Sequence, residues 1–142
     1  LKEKGDSVGG VVGCVVRNGP QGLGEPVFDK LQATLAHAGM SIPAAKGFEI
    51  GSGFGAAELR GSQHNDPWVR DISGNVTTVT NNSGGIVGGI STGVDMVVSA
   101  AFKPPAPHSM DPQTTDISGT TVTLSPCDRH DHCVDPRAVP RL

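Results

Sequence analysis

Glycine and proline punctuate this chain from end to end, twenty of one and eleven of the other, spread out rather than gathered in blocks. Glycine weakens helix and strand interiors, and proline removes a backbone donor. Long regular elements are therefore disfavoured over most of the 142 residues, and short strands joined by turns are expected. The even spread also excludes collagen and low-complexity sequence. The length suits one domain and is short for two.

Charge and cysteine usage narrow the setting. Eleven basic and fourteen acidic side chains leave a formal charge of −3. That mild balance gives no reason to expect nucleic acid or a membrane surface as partner. No apolar run approaches the roughly 20 residues that cross a bilayer. The polar start at Leu1-Lys2-Glu3-Lys4 lacks Met and is no signal peptide, and both ends read as cut. Cys14, Cys127 and Cys133 cannot all pair with one another, which favours a reducing compartment over a disulfide framework.

Periodicity then places the elements. Residues 7–17 alternate glycine with valine and read as a strand. Phe28, Leu31 and Leu35 fall at helical spacing, so a helix is expected over residues 27–40, with Pro26 suiting its start and Gly39 its end. Residues 45–54 read as a strand with Phe48 and Ile50 on one face. Residues 55–79 read as a polar flap with a weak hairpin. The tetrapeptide Asp71-Ile72-Ser73-Gly74 recurs at Asp116-Ile117-Ser118-Gly119, and both copies read as hairpin turns. Residues 95–102 and 120–124 read as further strands, residues 103–107 as a proline-rich loop, and residues 137–140 as the start of a helix. The fold class expected is α+β, with antiparallel strands packed on helices and strands outnumbering helices.

Four places carry chemistry. The cluster Asn81-Asn82-Ser83-Gly84-Gly85-Ile86-Val87-Gly88-Gly89-Ile90-Ser91 suits close approach of a phosphate or a flavin ring, or else is a tight turn. It lacks the Gly-Lys-Ser/Thr of a Walker loop. Lys103, at a strand end before three prolines, can neutralise a phosphate or simply be solvated. Arg129-His130-Asp131-His132 joins an anion-holding guanidinium to proton-moving groups, or is a solvated charge cluster. Cys127, His130, His132 and Cys133 are zinc-type ligands, but four within seven residues are too crowded to wrap one tetrahedral ion. His37, His64 and His108 read as structural or solvated.

These pieces stand in a familiar order. Gly5-Asp6-Ser7-Val8-Gly9-Gly10 precedes Gly22-Leu23-Gly24-Glu25-Pro26-Val27-Phe28-Asp29-Lys30-Leu31. Lys46-Gly47-Phe48-Glu49-Ile50-Gly51-Ser52-Gly53 leads to Gly61-Ser62-Gln63-His64-Asn65-Asp66. Asn81-Asn82-Ser83-Gly84-Gly85-Ile86, Phe102-Lys103-Pro104, Arg129-His130-Asp131 and Arg137-Ala138-Val139-Pro140 complete the series. The set, in this order, resembles the carboxyl-terminal part of chorismate synthase over essentially the whole chain.

The resemblance implies a fold, a reaction and a site. The fold would be part of a sandwich of sheets around helices, a single partial domain over residues 1–142, with the amino-terminal half and the final helix of the family absent. The reaction would be the 1,4-elimination of phosphate and a ring proton from 5-enolpyruvylshikimate 3-phosphate, giving chorismate and requiring reduced FMN. Pro43, Ala44, Gly88, Lys103 and Arg129 match the family's FMN contacts, and Asp131 matches an aspartate acting near flavin N5. A homotetramer, a flavin reductase as electron source, and a cytoplasmic setting (plastid in a plant) are also implied. Pro105 and Pro107 stand where the family has hydroxyl residues, Asp128 replaces a glycine, His132 a proline, and Thr92 an Asn or Ser. A truncated member serving only as a binding module, or a small zinc-binding module, are the other readings.

Overall fold

The computed structural model describes residues 6–106, 113–123 and 132–142. Its centre is a three-stranded antiparallel sheet. Strand β7 (Met96–Phe102) lies in the middle, flanked by β1 (Gly10–Val16) and β2 (Ala45–Ile50). Strict alternation along β7 buries Met96, Val98, Ala100 and Phe102 on one face. Directly opposite them lie Val12 on β1 and Phe48 on β2, both paired with Ala100. A bulge between Ala45 and Gly47 inserts one residue, so Ala45 also turns inward beside Phe102. The core is Val12, Ala45, Ala100, Phe102 and Ala138, with Phe48, Ile42, Val134 and Leu142 packed against it. The small residues on this face let helices sit close.

Helix α1 (Leu31–Met40) covers that face. Its Gly39 is buried, and a Cβ there would come within 2.6 Å of the Phe48 ring. Gly39 is thus a packing glycine inside the helix, not the terminator expected from the sequence. The last turn closes instead at Ser41, whose N–H and Oγ–H both donate to the His37 carbonyl, at 3.1 and 2.6 Å. The helix also begins four residues later than periodicity indicates. The Leu31 N–H donates to the Gly89 carbonyl at 2.8 Å, so a tertiary contact sets the first turn. Val27 and Phe28, expected on the helix, are exposed ahead of it.

The segment after β2 is more structured than a flap. It forms a 3-10 turn (Gly53–Glu58), the short helix α2 (Gly61–His64), and a hairpin of β3 (Trp68–Arg70) and β4 (Val76–Thr78). A two-residue pair, β5 (Ile86–Val87) with β6 (Ile90–Ser91), makes the glycine hairpin. Strands β8 (Gln113–Thr115) and β9 (Thr121–Thr123) pair as a further hairpin. Both Asp-Ile-Ser-Gly copies are the expected turns. The Asp71 and Asp116 carboxylates each accept backbone N–H bonds, from Ser73 and Asn75 at 2.8 Å and from Thr120 at 2.9 Å. Hydrogen bonds from Asn75, and from Ser118 and Thr120, hold the two carboxyls below the usual range. The chain ends in α3 (Asp135–Ala138) and a 3-10 turn (Val139–Arg141), with Ala138 in the core. The result is the α+β arrangement expected. Among the described residues no helix is long and apolar enough to cross a membrane.

Candidate functional site

Two concave regions lie at opposite ends of α1. The first adjoins the ends of β7 and α1. Here the Lys103 N–H donates to the Ala44 carbonyl at 2.9 Å, which joins the loop lysine to the turn at Pro43 and Ala44. Ala44 has φ +70°, a left-handed conformation costing an L-residue about 1–2 kcal/mol. It is held there by its contacts with Lys103 and by the core residue Ala45 beside it. Pro43, Ala44 and Pro105 line a cavity of about 210 Å³ together with Arg137 and Arg141. The Lys103 ammonium is exposed and, among the described residues, donates to the neighbouring Pro104 carbonyl at 3.3 Å. Two arginines thus line the cavity, and Lys103 is tied to its wall through the backbone.

Arg137 and Arg141 are the residues that sequence reasoning missed. Arg137 reads as the opening of a helix over residues 137–140 and Arg141 lies just beyond it, and the packing of Ala138 against the sheet brings both beside Pro43. Their signal in the sequence was a pair of arginines four apart on one turn. Arg129 and Asp131 lie outside the described residues. So do Cys127 and His130, which leaves His132 and Cys133 as the described part of the crowded zinc-type set. Among the described residues no group of three or more His, Cys, Asp or Glu is placed to hold a metal ion.

The second region is larger. A cavity of about 500 Å³ opens between the first turn of α1, the β3–β4 hairpin and the glycine hairpin. Gly88 lines it, exposed, with nothing within 4 Å of where a side chain would begin. The neighbouring glycines behave differently from the sequence expectation. Gly84 and Gly85 are buried, and their N–H groups are taken up inside the turn by the Asn81 carbonyl at 3.2 Å and the Asn81 side chain at 2.9 Å. They present no free donors to a ligand. Ser91 is likewise structural, donating to the Pro20 carbonyl and accepting from the Leu23 N–H. Of the glycine cluster, Gly88 is the part that faces open space.

Asp66 holds this turn in place. Its carboxylate accepts the N–H groups of Asn82 and Ser83 at 2.8 Å each and the Thr80 hydroxyl at 2.7 Å. Partial burial alone would raise its pKa, but the Ser83 and Asn82 N–H groups and the Thr80 hydroxyl outweigh that and lower it to about 2. Nearby, His64 Nε2 and Ser52 Oγ lie 3.0 Å apart, and that hydroxyl donates to the Asn82 carbonyl at 3.1 Å. Because the folded pKa of Asp66 is depressed, its stabilisation is present above the unfolded value near 4 and lost as pH falls toward 2, up to about 2 kcal/mol. Urea unfolding measured at pH 5 and pH 2.5 is expected to show that loss, and Asp66→Asn is expected to shrink it. Equal pH dependence in the variant would remove Asp66 as the cause.

Pro43, Ala44 and Lys103 are brought together, but Gly88 is not with them. The Gly89 carbonyl meets the Leu31 end of α1, and Ile42 meets its Gly39 end, so the two regions are separated by ten helical residues, about 15 Å. One cavity does not gather all the expected contacts among the described residues.

The chain is similar to known proteins in sequence and in fold. The chorismate synthase family description matches residues 1–142. A chorismate synthase of Prochlorococcus marinus (strain MIT 9303) is 59% identical over 140 residues, covering 99% of this chain and 39% of the relative. One from Gloeothece citriformis is 58% identical over 137 residues, covering 96% of this chain and 38% of the relative. A crystal structure of chorismate synthase superposes with a TM-score of 0.69 at 42% identity, over 74% of this chain and 32% of that one. The chain thus spans about two fifths of the length of the curated relatives it matches, 39% in the first case. With the motif series matched along its whole length and the same fold in a solved structure, this chain belongs to the chorismate synthase family.

Proposed function

We propose that this chain is the cofactor-binding, carboxyl-terminal part of an enzyme that eliminates phosphate from 5-enolpyruvylshikimate 3-phosphate to give chorismate. The observation that carries the reading is the family match over residues 1–142 together with the Lys103–Ala44 backbone bond, which brings two expected cofactor contacts side by side. In the elimination the C–O bond to phosphate breaks with its electron pair, a ring proton leaves, and inorganic phosphate is released. When bound, reduced FMN supplies electron density as the phosphate departs, with no net redox change. Lys103 and Arg129 hold the cofactor phosphate by charge-assisted bonds, and Arg137 and Arg141 add positive potential at the same corner. The Pro43–Ala44 turn and Gly88 supply backbone contacts. Asp131 takes the proton on. Fixed cations and backbone dipoles of this kind stabilise developing charge without reorganising. In the assembled enzyme we expect a cytoplasmic homotetramer with a flavin reductase as electron source.

Residues 1–142 form one partial domain in this reading. Val11 at 69% exposed, Phe28 at 88% and Phe54 at 80% support it, because a complete domain seldom leaves so many large apolar side chains in water. The test is chorismate formation with chemically reduced FMN. Joined to the remaining segment of a relative such as that from Prochlorococcus marinus, the chain is expected to turn over at an ordinary enzyme rate, about 1–10³ per second. Alone, it is expected to make no chorismate. A folded, joined protein without activity would overturn the assignment, and ordinary turnover by the 142 residues alone would overturn the partial-domain reading.

A further inference from the structure

The β3–β4 hairpin carries apolar side chains into water on both of its faces. Trp68, Val69, Ile72, Val76 and Val79 are exposed, Ile72 fully. The register puts Trp68 and Val76 on one face and Val69 on the other. A hairpin laid against its own molecule hides one face, whereas one exposed on both projects as an arm. A two-stranded hairpin by itself is marginal in water, so this one calls for a covering surface. The Asp71 carboxylate at its tip is taken up by the Ser73 and Asn75 N–H groups. Arg70 supplies the arm's cation, and its guanidinium donates to the Gly74 carbonyl at 2.9 Å.

A second uncovered surface lies on the three-stranded sheet. Helix α1 and the core occupy one face. On the other, Val11, Gly13 and Val15 of β1 stand across from Ala101, Ser99 and Val97 of β7. Val11 and Val15 are exposed, and Gly13 leaves a flat strip between them. Neither β1 nor β7 carries a charged residue. At the margin of this face Glu49 of β2 stands opposite Ser99, and the other β2 charge, Lys46, lies in the bulge. Contiguous apolar surface of this kind marks a contact with another body.

We infer that the β3–β4 hairpin is an arm that packs on the outer sheet face of a second copy of this chain, with Arg70 of the arm toward Glu49 of that face. The arm does not reach the same face on its own molecule. Trp68 and Thr78 share a cavity with Gln32 of α1, so the base of the hairpin stands on the helix side of the sheet. A second copy supplies both missing surfaces at once, arm to face and face to arm, which is the reciprocal contact of a two-fold pair. Trp68 and Ile72 are the anchors, since large apolar groups gain most from being covered. The Val11-Gly13-Val15 strip is the floor they meet. The inference rests on the multi-copy assembly in the reading above and names the surfaces that build it.

The test measures mass by light scattering over a dilution series, on a full-length protein carrying this segment. An arm variant combines Ile72→Ser with Val76→Ser, and a face variant combines Val11→Lys with Val15→Lys. Each is expected to weaken association between copies about 100-fold or more, because two apolar side chains are lost from each of two contacts. All four positions are exposed in the single chain, so the urea midpoint at dilutions where copies separate is expected to hold. A midpoint that falls there instead would show that these residues pack within one chain, and would overturn the inference. An equimolar mixture of the two variants is the second measurement. One intact arm then meets one intact face, so mixed pairs are expected to form more tightly than either variant pairs with itself. No gain on mixing would overturn the inference. If the parent assembles and both variants assemble as it does, the inference fails while the assembly reading stands. A parent that stays a single copy at every concentration overturns both, and leaves the chorismate-forming reading untouched.

Discussion

Replacing Asp131 by alanine in a full-length protein carrying this segment is expected to slow single-turnover chorismate formation by about 10²–10⁴-fold, the usual contribution of a positioned acid or base. FMN affinity is expected to stay near that of the parent, because the role assigned to Asp131 is proton transfer. Arg129→Ala reverses the pattern. Losing one charge-assisted bond worth roughly 1.5–3 kcal/mol weakens FMN by about 10- to 100-fold. At saturating flavin, its single-turnover rate should largely recover. Flavin titration and rapid quench of the same two variants separate anchoring from chemistry. Full single-turnover rate in Asp131→Ala, or normal FMN binding in Arg129→Ala, would show that the family roles do not carry over to this sequence.

The second large effect is structural. Gly51 links the end of β2 to the glycine hairpin: its N–H donates to the Val97 carbonyl at 2.9 Å, and the next residue, Ser52, donates to the Asn82 carbonyl at 2.8 Å. It sits at φ +57°, and a Cβ there would collide with the Asn82 carbonyl oxygen and the Gly84 nitrogen. Backbone atoms cannot swing away as a side chain does. Left-handed strain alone costs about 1–2 kcal/mol, and the collision adds to it, so Gly51→Ala is expected to destabilise by more than ~3 kcal/mol. The turn it would displace carries Gly88 and is tied to Asp66, so flavin binding should fall with stability. The readout is urea unfolding with soluble yield, against Gly55→Ala as control, where a Cβ meets nothing within 4 Å. A cost within about 1 kcal/mol of the control would mean that the β2–hairpin junction yields more than this packing implies.

Much of the architecture was written in local pattern. The apolar run over residues 95–102 and the glycine–valine pattern over residues 7–17 marked the two long strands, while which face of the first is buried came from the fold. The repeated Asp-Ile-Ser-Gly turns were legible because aspartate bonds its own following backbone, wherever the hairpin happens to sit. The order of motifs identified the family before any contact was known. Tertiary structure alone decided the rest. Helix α1 starts at Leu31 because the Gly89 carbonyl, remote in sequence, meets its first N–H, and Gly39 stays inside because Phe48 presses on it. Arg137 and Arg141 reach Pro43 only because Ala138 is buried against the sheet, and Gly88 stands apart from Lys103 because a whole helix lies between them. Spacing along the chain records what each residue can do with its neighbours, whereas a shared cavity depends on which distant surfaces the core pulls together.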